Sequence, residues 1–125
     1  MAQNFLWSTR DHKFILKEWL DMDKIFSYDR FNGVYSVDDV DSILTEAVKV
    51  AKEVIAPTND DNDAIGAVFN NGQVTVPESF KNVYWFVQEN GWGSCNMDHH
   101  YEGALPKTIY TAVAEALAAA NAGVA

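Results

Sequence analysis

The chain has 125 residues, of which 48% are hydrophobic and 13% aromatic, and its formal net charge is −9. This length and composition predict one folded globular domain and exclude a disordered tail. The negative charge argues against nucleic acid and anionic membrane surfaces as partners, since proteins bind both through Lys and Arg. The single Cys95 excludes an intramolecular disulfide. We expect neither a signal peptide nor a membrane span, which takes about 20 apolar residues, and therefore predict an acidic, soluble, cytoplasmic domain.

The first element that the sequence predicts is a helix over residues 10–25. Ser8 and Thr9 are residue types that cap helices, and Asp11 in the first turn favours the positive end of the helix dipole. Four apolar residues at helical spacing are expected to form its buried stripe: Phe14, Ile15, Trp19 and Leu20.

A second helix is predicted from SVDDV at residues 36–40, where Ser36 caps and Asp39 takes the place of the capping-box acid. Apolar residues then recur at helical spacing until Pro57: Val40, Ile43, Leu44, Ala47, Val50, Ala51 and Val54. The next segment, TNDDND at residues 58–63, predicts a polar loop because Asn and Asp favour turns.

The segment AVFNNGQVTV, residues 67–76, predicts two short strands joined at Asn71-Gly72, the dipeptide that hairpin turns favour. Pro77 suits the first turn of a third helix, which we expect to close at Gly91. One face of that helix is predicted to be buried: Phe80, Val83, Tyr84 and Val87.

Pro106 begins the last predicted helix, and nearly every side chain from Thr111 to Ala125 is apolar. A helix that is apolar nearly all round must be covered on most of its surface. The elements together predict a mainly all-α fold, a four-helix orthogonal or up-down bundle with one small β-hairpin.

The segment CNMDHH contains four side chains of metal-ligand type: Cys95, Asp98, His99 and His100. Adjacent histidines on regular structure do not easily aim at one ion, and the spacing matches neither a two-cysteine motif nor HExxH. We therefore predict an exposed polar loop and no metal site, with a small metal-binding protein as an alternative. His12 is expected to be a surface or cap-adjacent residue, and Cys95 lacks a positioned base. No catalytic or cofactor-binding residue is predicted in this chain.

Three segments carry recognisable features in a fixed order. EAVKVAKEVIAPTNDDND, residues 46–63, is a helix that ends at a Pro and runs into an acidic linker. VTVPESFKNVYWFVQENGWGS, residues 74–94, is a strand and a helix that closes at a Gly-Trp pair. ALPKTIYTAVAEALAAANAGVA, residues 104–125, is a helix entered through a Leu-Pro turn, with Glu115 before apolar residues. Their order and spacing resemble the N-terminal helical domain of the acyl-CoA dehydrogenase family.

FLWSTRDHKFILKEWLDMDKIF, residues 5–26, together with the FNNGQV hairpin, is similar to a longer subgroup of that family. The resemblance implies an N-terminal extension at residues 1–35 and the family's helical domain at residues 36–125, cut inside its last helix. It implies a fragment that lacks the catalytic base and the flavin site, and is inactive alone. Residues 94–106, SCNMDHHYEGALP, replace a family stretch that usually contains a Pro and several Gly, so the resemblance does not predict the acyl group.

The family implies a full-length FAD-dependent enzyme that dehydrogenates the α and β carbons of an acyl-CoA thioester. This domain would form part of the wall of the acyl pocket, with three candidate residues: Trp92, Tyr101 and Leu105. Ordinary packing remains the alternative role for the two aromatic residues. The implied partners are acyl-CoA, an electron-transfer acceptor, the remaining domains of the same enzyme and further copies in a homo-oligomer. A stand-alone helical module or small subunit, which docks through its Ala-rich last helix, is the alternative function.

Overall fold

Helix α1 begins where the sequence places its cap. In the computed structural model, which describes residues 7–124, α1 spans Thr9–Phe14, and the hydroxyl oxygen of Ser8 accepts a hydrogen bond from the backbone N–H of Arg10 at 3.2 Å. The path continues without a break into a π-helical turn, Ile15–Trp19. The first six residues of the predicted N-terminal extension lie outside the described residues.

The single helix predicted over residues 10–25 is interrupted at Asp21. This residue has φ 50°, a left-handed conformation that Asp tolerates better than most residues because its short polar side chain bonds locally. Its carboxylate accepts a hydrogen bond from the backbone N–H of Lys24 at 3.3 Å and so caps a separate helix α2, Met22–Phe26. The prediction of one continuous helix is therefore wrong.

The buried side of this N-terminal segment also differs from the predicted stripe. Of the predicted residues, Ile15 is half-buried, and the other three are exposed by 40–73%: Phe14, Trp19 and Leu20. The core instead receives Leu16, Met22 and Phe26. A π-helical turn contains more residues per turn than an α-helix, and the chain changes direction before α2, so the 3.6-residue spacing does not describe this segment.

Helix α3, Val37–Val50, has the predicted capping box, in which the backbone N–H of Ser36 donates to the carboxylate of Asp39 at 2.7 Å. The helical path continues as a π-helical turn, Ala51–Ile55, and a 3₁₀-helical turn, Ala56–Thr58. Most of the predicted apolar face is buried: Val40, Leu44, Ala47, Val50 and Ala51. The periodicity identified this helix and its core-facing side correctly.

Residues 58–63, predicted as a polar loop, lie mostly in helix α4, Asn59–Ile65, so that prediction is wrong. Asp60 and Asp61 fall in its first turn, where negative charge is favourable near the positive end of the helix dipole. The helix ends at Gly66, whose φ is 62°.

Strands β1, Val68–Asn70, and β2, Gln73–Thr75, form the predicted antiparallel hairpin. The φ angles of Asn71 and Gly72 are both positive, as a two-residue hairpin turn of type I′ requires. Both strands are exposed along their length, so the hairpin is a surface feature and not part of the core.

Helix α5 spans Glu78–Glu89, and the chain leaves it at Gly91 with φ 78°, as predicted. Val83 is buried, and three further apolar residues are half-buried: Phe80, Phe86 and Val87. Tyr84 is the exception on the predicted face, because it is 50% exposed. Its ring packs edge-on against Trp85 with 5.3 Å between the ring centroids, so this pair lies on the surface.

Helix α6, Lys107–Ala120, packs along α3. Its buried face is made of Ile109, Ala112, Val113, Ala116 and Ala120. The helix ends at Asn121, whose backbone is extended and whose side-chain amide donates to the hydroxyl of Thr58 at 3.1 Å. Residues 121–124 are therefore not helical, in contrast to the expectation that the helix runs to the end of the chain.

The core consists of two groups of buried residues. The first group joins the N-terminal segment, α3 and α6, and the second joins the end of α3, α5 and the end of α6. The predicted mainly all-α fold with one small hairpin is confirmed, and residues 7–124 contain six α-helices in place of the four expected. Within the same residues, no helix is both long and apolar enough to cross a membrane.

Candidate functional site

An open groove lies between α3, the carboxyl end of α5 and the chain that follows α5. Its volume is about 760 Å³. The lining combines apolar and acidic side chains, among them Tyr35, Ile43, Glu46, Trp92, Cys95 and Leu105. It thus contains two of the three residues that the sequence predicts for the wall of an acyl pocket.

Those two wall residues are fixed by the chain around them. Gly91 turns the chain out of α5 into a 3₁₀-helical turn that begins at Trp92, and the indole packs against both core groups. Leu105 is buried, and its backbone N–H donates to the carbonyl of Cys95 at 3.0 Å. Trp92 and Leu105 therefore hold defined positions on one groove.

Tyr101, the third predicted wall residue, lies elsewhere. Its side chain is 62% exposed and lines an adjoining depression of about 350 Å³, which shares Tyr35, Glu102 and Gly103 with the groove. Arg30, His99 and His100 line the same depression. Tyr101 therefore lies beside the groove but does not line it.

The groove is acidic and lacks an activated nucleophile. Glu46, Glu89 and Glu102 line it, and among the described residues no Lys, Arg or His does so. Burial raises the pKa of the Cys95 thiol and of the Tyr35 hydroxyl, so both groups stay protonated at neutral pH. The groove is thus suited to enclosing a neutral, apolar group, and its carboxylates disfavour a phosphate.

Two residues that were not among the predicted site residues also shape this region. The hydroxyl of Tyr35 donates to the carbonyl of Ala104 at 2.8 Å and ties the chain before α3 to the chain before α6. Gly103 has φ 82°, and a Cβ added to it would lie 2.7 Å from the hydroxyl oxygen of Ser94. Nothing in the residue spacing indicated Tyr35. Gly103 could have been identified, because it is a glycine within residues 94–106, where the family usually has several.

The four metal-ligand types of CNMDHH are only partly brought together. Asp98, His99 and His100 have donor atoms within 4.8 Å of one another, and all three residues are exposed. Cys95 is buried on the other side of this segment, where its thiol lies 3.7 Å from the carbonyl oxygen of Gly91. The segment is the exposed polar loop that the sequence predicts, with a three-residue cluster at its tip.

A polar contact joins the N-terminal segment to α6. Nε2 of His12 lies 2.8 Å from a carboxylate oxygen of Glu115, and the indole N–H of Trp7 donates to the other oxygen at 3.3 Å. The hydrogen bond with His12, together with that from Trp7, lowers the pKa of Glu115. His12 is half-buried beside the ring of Trp7, with 4.4 Å between the centroids, so it acts as a structural contact.

No protein-family profile matches the sequence, whereas several curated proteins do. The chain is 41% identical over 107 residues to a butyryl-CoA dehydrogenase of Syntrophomonas wolfei. The aligned residues make up 83% of this chain and 18% of the relative. It is 40% identical over 115 residues to a second butyryl-CoA dehydrogenase of that organism. The aligned residues make up 90% of this chain and 19% of that relative. It is also 31% identical over 120 residues to a broad-specificity linear acyl-CoA dehydrogenase of Mycobacterium tuberculosis. That alignment covers 94% of this chain and 20% of the relative.

The chain thus spans about a fifth of the length of the curated relatives it matches. The family that the sequence resembles is confirmed by these relatives. They give no support to the alternative function, a stand-alone interaction module. Over most of its length, this chain is homologous to a segment of the acyl-CoA dehydrogenases.

Proposed function

We propose that this chain is the N-terminal helical domain of an FAD-dependent acyl-CoA dehydrogenase and forms part of the wall of its acyl pocket. The observation that carries the proposal is the 40–41% identity to two butyryl-CoA dehydrogenases over 83–90% of the chain. The groove supports it, because Trp92 and Leu105 present apolar surface beside a volume of about 760 Å³.

The chemistry of the groove indicates what this domain contributes. In α,β-dehydrogenation a base removes the α-proton of the thioester, and the flavin supplies redox chemistry that no side chain has. The groove does not fit a flavin, because its charged lining is acidic and the diphosphate of FAD requires positive partners or backbone N–H groups. The domain would instead exclude water from the acyl chain through its apolar wall. We therefore expect FAD and the catalytic base to be held outside this chain.

The remaining parts of the proposal come from the family. We expect acyl-CoA as the substrate, an electron-transfer acceptor, contact with the remaining domains of the same enzyme, a homo-oligomer and a cytoplasmic location. The isolated chain is expected to be inactive with butyryl-CoA, FAD and an artificial electron acceptor, because we expect the base and the flavin site to be held by the remaining domains.

A chimera tests the proposal directly. The homologous segment of the Syntrophomonas butyryl-CoA dehydrogenase is exchanged for this chain, and kcat/KM is measured with acyl-CoA substrates of four to eight carbons. We expect the chimera to bind FAD and turn over. In it, Trp92→Ala and Leu105→Ala should each change the ratio of kcat/KM between short and long substrates by about tenfold or more, since one methylene in an apolar pocket has an effect of that order.

Tyr28→Ala provides the matched control, because Tyr28 is 52% exposed and lies outside the groove. Trp92→Phe is included as the milder change, and flavin content together with the unfolding midpoint identifies variants that misfold. A flavin-loaded chimera whose chain-length profile is the same for Trp92→Ala, Leu105→Ala and Tyr28→Ala would show that the groove is not part of the acyl pocket.

A further inference from the structure

We propose that the turn formed by Asp98, His99 and His100 binds a divalent transition-metal ion, of the class that imidazole ligands prefer, such as Zn²⁺. None of the three residues lines the groove, although the depression beside them shares Tyr35, Glu102 and Gly103 with it. The proposal does not rest on the proposed acyl-CoA function. Two imidazoles and one carboxylate are a donor set that Zn²⁺ accepts in proteins, with the remaining position open to water.

The turn removes the obstacle that adjacent histidines present on regular structure. The backbone N–H of Tyr101 donates to the carbonyl of Asp98 at 2.9 Å, so His99 and His100 are the two central residues of a β-turn. Their rings consequently lie on the same side of the chain, with 3.9 Å between the centroids and 41° between the planes. In a strand the two side chains would point to opposite faces.

The donor atoms are spaced almost as a bound ion requires. One carboxylate oxygen of Asp98 lies 2.8 Å from Nδ1 of His99 and 3.7 Å from Nε2 of His100. Ligands held about 2.0–2.1 Å from a tetrahedral Zn²⁺ lie about 3.4 Å from one another. All three donors are within 4.8 Å of one another, so modest rotations of exposed side chains would complete the site.

Access and charge favour a cation at this position. The side chains of Asp98, His99 and His100 are 61%, 29% and 78% exposed, so an ion reaches them without opening the fold. The formal net charge of −9 attracts cations, and Glu102 lines the same depression as the two histidines. Arg30 also lines the depression, and its positive charge opposes any cation there, so binding depends on the coordinate bonds from the two imidazoles.

Titration of the chain with zinc chloride at pH 7.5, followed by calorimetry, tests the site. We expect one equivalent of Zn²⁺ to bind, and His99→Ala and His100→Ala each to weaken the affinity by at least about tenfold. Magnesium chloride is expected to give no heat, since Mg²⁺ prefers oxygen ligands. In a ¹H–¹⁵N correlation spectrum, the zinc-induced shifts should centre on the turn.

The controls separate this site from adventitious binding. His12→Gln removes a histidine from a distant contact and is expected to keep the parent affinity. Glu102→Gln removes a neighbouring negative charge that is not a ligand, and should weaken binding less than either histidine variant. The three ligand residues are exposed, so their variants should keep the parent unfolding midpoint. Absence of binding, or an affinity unchanged by both His99→Ala and His100→Ala, would overturn the proposal. Neither result bears on the acyl-CoA dehydrogenase chimera.

Discussion

Alanine in place of Gly103 tests how tightly the segment between α5 and α6 is packed. Gly103 has φ 82°, a conformation that costs an L-residue about 1–2 kcal/mol, and the new Cβ would lie 2.7 Å from the hydroxyl oxygen of Ser94. That hydroxyl donates to the carbonyl of Gly91 at 2.7 Å, and displacing it forfeits a hydrogen bond worth about 1 kcal/mol. We therefore expect Gly103→Ala to lower the free energy of unfolding by about 2–3 kcal/mol, measured by urea denaturation followed by circular dichroism.

Gly33→Ala is the matched control, because Gly33 has φ 75° and no atom within 4 Å of the added Cβ. It should show only the conformational cost of about 1–2 kcal/mol. In a Ser94→Ala background the close contact with the hydroxyl is gone, so Gly103→Ala should there cost no more than Gly33→Ala. An equal loss of stability for Gly103→Ala in both backgrounds would refute the packing described here.

Two further predictions concern the core and the cap of α3. Leu44→Ala removes three carbons from a fully buried side chain, which at about 0.8 kcal/mol per methylene plus a cavity contribution lowers the free energy of unfolding by about 3 kcal/mol. Leu20→Ala makes the same change at a residue that is 40% exposed and should cost about 1.4 kcal/mol at most, so equal losses in urea titrations would contradict the core assignment. The hydroxyl of Ser36, and then its backbone N–H, lower the pKa of Asp39, so this carboxylate stabilises the fold above the ordinary aspartate pKa, and the contribution disappears as the pH falls through the lowered value. Unfolding midpoints of Asp39→Asn should therefore fall less than those of the parent between about pH 5 and pH 1, and parallel curves would show that the cap carries no such linkage.

The regular parts of the fold were predictable because local signals and packing agree there. The capping box at Ser36, the apolar periodicity of α3 and the Asn71-Gly72 turn all coincide with the structure. In the N-terminal segment the prediction failed because the chain departs from the 3.6-residue period, whereas at Asn59–Ile65 the polar composition concealed a regular helix. Because of the π-helical turn at Ile15–Trp19 and the left-handed Asp21, the first segment buries a different face from the predicted one. Neither feature is predicted by a residue type in the sequence.

The candidate site was predictable only in part. Trp92 and Leu105 were identified through the family resemblance, and both line the groove. Tyr101 was expected with them in the groove, yet it closes a turn through a backbone hydrogen bond to Asp98 and lines the adjoining depression. The position of this turn depends on the path of an irregular loop, and the spacing of residues in the sequence does not predict that path. The contact between Tyr35 and Ala104 spans 69 positions, and single-sequence patterns do not report contacts at that separation.

The first core group has a consequence for how the protein folds. Leu16, Met22 and Phe26 pack in the same cluster as Leu44 and Ile109, so the N-terminal segment supplies part of the interior that α3 and α6 share. Amide protons in these three regions should therefore exchange with solvent through one cooperative opening event. The N-terminal segment therefore belongs to the same cooperative folding unit as α3 and α6, and deleting it would leave an incomplete core.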